Sequence, residues 1–121
     1  MQDLNIPRTP SAYDYPLLIG RLLSTLEVNH PHQQIVYADQ RRISYLEFHE
    51  RVKRLANALV DLGVQPGDTV AVMDWDTHRY LECFFAVPMI GAVLHTINIR
   101  LSPEQILYTI NHAADTVLMV H

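Results

Sequence analysis

A chain of 121 residues that is 49% hydrophobic and 18% charged has the size and composition of a single folded domain able to bury a core without disulfides or structural metal. Its net charge of −4 provides no broad positive field, which argues against nucleic acid and anionic membrane surfaces as partners. The single cysteine, Cys83, excludes an intrachain disulfide and fits a reducing compartment, so a cytoplasmic location is expected. No secretory pattern opens the chain. The longest apolar run, Cys83 to Ile90, is interrupted by Pro88 and is too short to span a bilayer.

Residues 1–16 carry Pro7, Pro10 and Pro16 among polar and aromatic residues, which predicts an extended arm. Leu17 to Leu26 then reads as a helix with Leu18, Leu22, Leu23 and Leu26 on one face, punctuated by Asn29-His30-Pro31. Gln34 to Ala38 predicts a short strand, and Asp39-Gln40-Arg41-Arg42 turns the chain back into a second strand at Ile43, making a small hairpin. Ser44-Tyr45-Leu46-Glu47 has the form of a capping box, in which the serine hydroxyl and the glutamate carboxylate each satisfy an amide of the first turn. In the helix that follows, Tyr45, Phe48, Val52, Leu55, Leu59 and Leu62 form the core face, opposite Glu47, Glu50, Arg51 and Arg54. Gly63 can take the left-handed conformation that closes it, and Pro66-Gly67-Asp68 makes a tight turn.

From Thr69 onward, short β-branched or apolar runs alternate with helical stretches, the pattern of parallel strands joined by crossover helices. The predicted strands are Thr69–Met73, Val93–Ile97 and Thr116–Val120. A helix begins near Thr77, with Leu81, Phe84, Phe85 and Pro88 on one side and Tyr80, Cys83 and Val87 also apolar; Pro88 should kink or end it before Gly91. Ser102-Pro103-Glu104-Gln105 opens another helix over 103–112 with a capping box and proline at the first helical position. The fold class is therefore α/β. A βαβαβ parallel-sheet unit over 44–121 is preceded by the arm, helix and hairpin of 1–43, with right-handed crossovers laying the helices on the sheet. His121 directly follows the last strand, so this is expected to be an incomplete piece of a larger domain.

The residues able to do chemistry are thinly spread. Seven histidines include the close pair His30 and His32, but no third ligand is fixed nearby and no zinc spacing occurs, so no metal site is expected. Cys83 falls mid-helix in an apolar run and reads as a buried structural thiol. Asp76 or Thr77 is a natural N-cap, which accounts for part of the acidic group Asp74, Asp76 and Glu82. Three residues near strand ends are candidates to line a cavity: Trp75, His95 and Asn98. For Trp75 the competing reading is packing against the neighbouring helix. For His95 it is a buried, hydrogen-bonded histidine with no partner evident in the sequence, and for Asn98, with Arg100, capping or a surface role. Gly20, Gly63, Gly67 and Gly91 are too dispersed for a phosphate-binding loop, so no catalytic, cofactor-binding or metal residue is assigned.

Three stretches carry a resemblance: Gly63-Val64-Gln65-Pro66-Gly67-Asp68-Thr69-Val70-Ala71-Val72, Trp75 to Glu82, and Gly91-Ala92-Val93-Leu94-His95-Thr96-Ile97-Asn98-Ile99-Arg100-Leu101. With Ile43-Ser44-Tyr45, Glu104 to Tyr108 and Asn111-His112-Ala113, they closely resemble the adenylate-forming acyl-CoA synthetases, nearest to the medium- and long-chain fatty acid CoA ligases. Asp76 departs from the Asn common in relatives, and Ile99 from the Pro that commonly follows the Asn.

The resemblance implies the N-terminal part of an AMP-binding domain. The parent enzyme would use ATP and Mg2+ to convert a fatty acid to an acyl-adenylate, then transfer the acyl group to coenzyme A. The Ser/Thr/Gly-rich loop with its lysine, the adenine, magnesium and ribose segments and the mobile-domain lysine match no residue here, so the fragment alone is expected to be inactive. The alternatives are a stand-alone α/β ligand-binding module, or a self-association module in which an exposed sheet edge makes a homo-oligomer.

Overall fold

The computed structural model describes residues 9–13, 15 and 18–121. Its elements are α1 (Ile19–Asn29), β1 (Gln34–Tyr37), β2 (Arg41–Ser44), α2 (Tyr45–Asp61), β3 (Thr69–Met73), α3 (His78–Met89), β4 (Val93–Thr96), α4 (Pro103–Ala113) and β5 (Val117–Val120). β1 and β2 form an antiparallel hairpin, and β4-β3-β5 a parallel sheet in that order. The expected α/β architecture is therefore present, with α3 joining the central strand to one edge and α4 joining the two edge strands. The expected arm lies mostly outside the described residues, as does the start of the first helix at Leu17. Pro10 sits in a turn that Ala12 N–H closes on the Thr9 carbonyl at 2.9 Å.

Period-two alternation in β3 sends Val70 and Val72 to one face and Ala71 to the other. The valines join Leu59, Val64, Cys83 and Val87 in one core cluster, which Leu94 and Val117 extend from the flanking strands. Burying a valine from water is worth roughly 1.5–3 kcal/mol, so these two alone bind the helical layer firmly to the sheet. A second cluster, with Leu23, Ile43, Phe48, Val52, Ala56 and Ala86, ties α1 and the hairpin to α2 and α3.

The ends of α2, α3 and α4 share one device. At the end of α2, Gly63 N–H donates to the Val60 carbonyl at 2.9 Å and Val64 N–H to Leu59 at 3.1 Å, with Gly63 at φ +96°. At the end of α3, Gly91 N–H donates to Pro88 and Ala92 N–H to Val87, with Gly91 at φ +78°. Both are Schellman closures, and each returns its next residue, Val64 or Ala92, to the core. α4 closes with the same two bonds, from Ala114 to Asn111 and from Asp115 to Ile110, but a non-glycine residue, Ala114, occupies the left-handed position at φ +52°.

Several helical faces differ from the periodic reading. Leu62 is exposed because it is the α2 cap, where the chain reverses and Val64 takes the inward place. α1 starts at Ile19 and buries only Leu23 fully, leaving Leu18 and Leu22 exposed. On α3, Tyr80, Cys83, Ala86 and Val87 face inward while Leu81 and Phe84 are exposed. Pro88 lies in the last turn, and the helix ends one residue later. The α4 capping box is complete, with bonds of 3.3 and 3.1 Å between Ser102 and Gln105. On α2 only the Ser44 half forms, because the Glu47 carboxylate turns to Arg41 at 3.6 Å.

Arg51 does not lie on a solvent face. It forks onto Glu82 across the α2–α3 interface, Nε to Oε1 at 2.6 Å and Nη2 to Oε2 at 3.2 Å, and the Glu82 side chain is almost wholly buried. Removing one partner strands the other charge. In urea denaturation, Arg51→Ala should lower stability by about 3 kcal/mol, and Arg51→Met combined with Glu82→Leu should recover most of that loss; a single-variant shift no larger than that of Lys53→Ala would contradict the assignment. Ala114→Gly should stabilise by about 0.5–1 kcal/mol, since it relieves a left-handed alanine at the cost of extra chain entropy. An unchanged or lower denaturation midpoint would show that Ala114 is not strained.

Candidate functional site

Open parallel sheets bind ligands beyond the carboxyl ends of their strands, and here those ends are polar. β3 runs into Asp74, whose side chain is 4% exposed and staples the turn into α3. Its Oδ1 accepts from Trp75 N–H at 2.6 Å and its Oδ2 from the Thr77 hydroxyl at 2.5 Å. Thr77 Oγ1 in turn accepts from Tyr80 N–H at 3.3 Å, so the N-cap of α3 is Thr77, the second of the two residues considered. Asp76 instead takes a left-handed backbone at φ +52°. Asn and Asp tolerate that conformation best after glycine, which gives the Asn-to-Asp departure at this position a physical basis.

Of the three cavity candidates, the structure brings two together. Trp75 and Asn98 line a cavity of about 330 Å3 between the ends of β3 and β4, with Asp74, Tyr80 and Arg100. Trp75 is 64% exposed and so is not packed away against the helix. Asn98 Oδ1 accepts from Arg100 N–H at 3.0 Å, so its carbonyl shapes the loop and leaves the amide nitrogen for other contacts. Burial pushes the Tyr80 phenol above its ordinary range, which keeps it a protonated donor at neutral pH.

His95 does not line this cavity. Its Nδ1 lies 2.8 Å from Asp115 Oδ2, and the Asp115 side chain is 1% exposed. The pair reaches across β3, from β4 to the turn that closes α4. The partner that the sequence left unidentified is thus supplied by the crossover connection, twenty residues downstream.

A second cavity, of about 340 Å3, opens between α2, α3 and the end of β5, with Arg51, Glu82, Cys83, Asp74 and His121 in its wall. His121 Nδ1 lies 3.3 Å from Asp74 Oδ1, and its Nε2 contacts the Arg79 guanidinium. Periodicity could not have found these residues, because each acts across elements. Cys83 offers no nucleophile: burial, followed by the Glu82 and Asp74 charges, pushes its thiol up to about 11, and Sγ donates to the Arg79 carbonyl at 3.2 Å.

Among the described residues, no three of His, Cys, Asp and Glu converge as metal ligands. No helix among the described residues is long and apolar enough to cross a membrane.

The model of the AMP-binding enzyme family matches residues 25–121, from the last turns of α1 to the end of β5. The long-chain-fatty-acid–CoA ligase of Thermus thermophilus is 51% identical over 78 residues, which cover 64% of this chain and 14% of that ligase. The medium-chain-fatty-acid–CoA ligase of Ectopseudomonas oleovorans is 38% identical over 108 residues, covering 86% of this chain and 20% of that ligase. A crystal structure of an anthranilate CoA ligase in complex with anthranoyl-AMP superposes with a TM-score of 0.82 at 24% identity, covering 89% of this chain and 21% of that one, and supports the fold. The chain thus spans a fifth or less of the curated relatives it matches. With the family match running through both crossover helices and all three parallel strands, the chain belongs to the AMP-binding enzymes.

Proposed function

We propose that this chain is the N-terminal part of a fatty acyl-CoA ligase and that the chemistry of the parent is carried by residues outside it. The observation that carries the reading is the 51% identity to a long-chain-fatty-acid–CoA ligase over 78 residues. In the parent, a fatty acid carboxylate oxygen attacks the α-phosphorus of ATP and pyrophosphate leaves with the electrons of the broken P–O bond. The coenzyme A thiol sulfur then attacks the acyl carbon, loses its proton, and expels AMP. A carboxylate resists thiol attack because its carbonyl is anionic and electron-rich, and adenylation supplies the leaving group. Mg2+ would offset the pyrophosphate charge, at a site provided by the rest of the parent.

In this reading, residues 1–43 lead into the α/β unit of 44–121, and the Trp75–Asn98 cavity contributes one wall of the substrate cleft. Trp75 offers an exposed aromatic face and Arg100 a cation beside it, whereas His95 with Asp115 braces the sheet. A cytoplasmic protein suits a single buried thiol. Association of two copies through the open sheet edge would cover the exposed Val93 on β4 or Leu118 and Val120 on β5.

Reading the gene past the codon for His121 tests the proposal. It should continue into a Ser/Thr/Gly-rich loop ending in lysine, and the product of the whole gene should catalyse fatty-acid-dependent ATP–pyrophosphate exchange. A stop codon there, or exchange without any fatty acid requirement, would refute the reading.

A further inference from the structure

The cleft between the hairpin and α3 holds a group that nothing above uses. His78, the first residue of α3, is 7% exposed, and among the described residues neither Nδ1 nor Nε2 has a hydrogen-bond partner. Its ring lies against Tyr37 of β1, with centroids 5.5 Å apart. Ile35, Val36 and Tyr37 face Thr77, His78 and Phe84 across a cavity of about 230 Å3, so the docked hairpin is what covers the imidazole.

We propose that the β1–β2 hairpin is clamped on α3 by neutral His78 and loosens when this imidazole takes up a proton. A neutral ring can sit beside Tyr37 as an aromatic body. A protonated one would be a buried cation whose two ring N–H groups have no hydrogen-bond partner, at a helix N-terminus whose dipole also disfavours positive charge.

The charged groups around it act in both senses, with three cations against one carboxylate. Arg41 from β2, Arg51 from α2 and Arg79 from α3 oppose protonation, and Glu82 from α3 favours it. Glu82 is already engaged by two bonds from Arg51, and Asp76, from the turn before α3, lines the cleft but is itself exposed. Tyr37 from β1 presents a ring. Desolvation first, then the three arginines, hold His78 below the ordinary imidazole value of 6.5.

A histidine whose folded value is depressed takes up its proton more readily in the opened state. The docked form therefore keeps its full advantage above about pH 6.5 and loses it progressively below, about tenfold in the docking equilibrium for each pH unit until the depressed value is reached.

Hydrogen exchange on the 121-residue chain tests this. Protection factors for the β1 and β2 amides, referenced to β3, should fall up to about tenfold between pH 7.5 and 5.5, while β3 itself stays constant. In His78→Phe, which keeps a ring and removes the titration, the ratio should be flat. The His78 ring should also resist titration by NMR until the hairpin amides lose protection; that second readout needs no variant, should His78→Phe fail to fold. A His78 ring that titrates at the ordinary value with hairpin protection unchanged would overturn the proposal. So would a loss of protection that persists in His78→Phe.

Discussion

Strand β3 has no solvent-facing side: Val70, Ala71 and Val72 are 0%, 0% and 3% exposed. A strand buried on both faces needs neighbours on both edges and cover above and below, and most of the fold answers that need. β4 and β5 satisfy its backbone on either side. α2 and α3 cover the Val70 and Val72 face, and their Schellman closures return Val64 and Ala92 to the same cluster. The opposite face is lightly covered, since no residue of α4 is fully buried and Leu118 and Val120 on β5 are exposed.

The polar residues follow from this geometry. At the carboxyl end of β3 the chain must leave a crowded sheet and enter α3, and Asp74 organises the exit through Trp75, Thr77 and His121. The left-handed Asp76 completes the turn and leaves Trp75 outward, which creates the cavity beside Asn98. The third helix closure differs from the other two in both of its residues. Alanine replaces glycine at the left-handed position, and where Val64 and Ala92 stand in the first two closures the polar Asp115 follows and reaches His95. A hydrogen-bonding polar group thus occupies the place that a core residue fills at the ends of α2 and α3.

Local order was legible in the sequence where one short stretch holds both halves of an interaction. Ser102 with Gln105, Gly63 after Leu62, and the three β-branched runs are of this kind, and each lies within a residue or two of its expected bounds. The capping box at Ser44 forms only in half because Arg41, at the start of the preceding strand, competes for Glu47, and the capping pattern alone does not report that competition. The exposure of Leu81 and Phe84 has the same origin: α3 is apolar nearly all round, so periodicity cannot say which side meets α2. At the site, Trp75 and Asn98 were readable as strand-end residues. Asp115, Arg51 with Glu82, and the buried His78 were not, since each depends on contacts between elements far apart in the chain.

The chain has the fold of an AMP-binding family member, and the central proposal is that the groups that bind and activate a nucleotide belong to the rest of the parent enzyme. Calorimetric titration of the 121-residue chain with ATP and Mg2+ addresses it directly. The account predicts no saturable heat, because the phosphate-binding loop and its lysine are proposed to lie in the rest of the parent. Stoichiometric binding at micromolar affinity by these residues alone would contradict it.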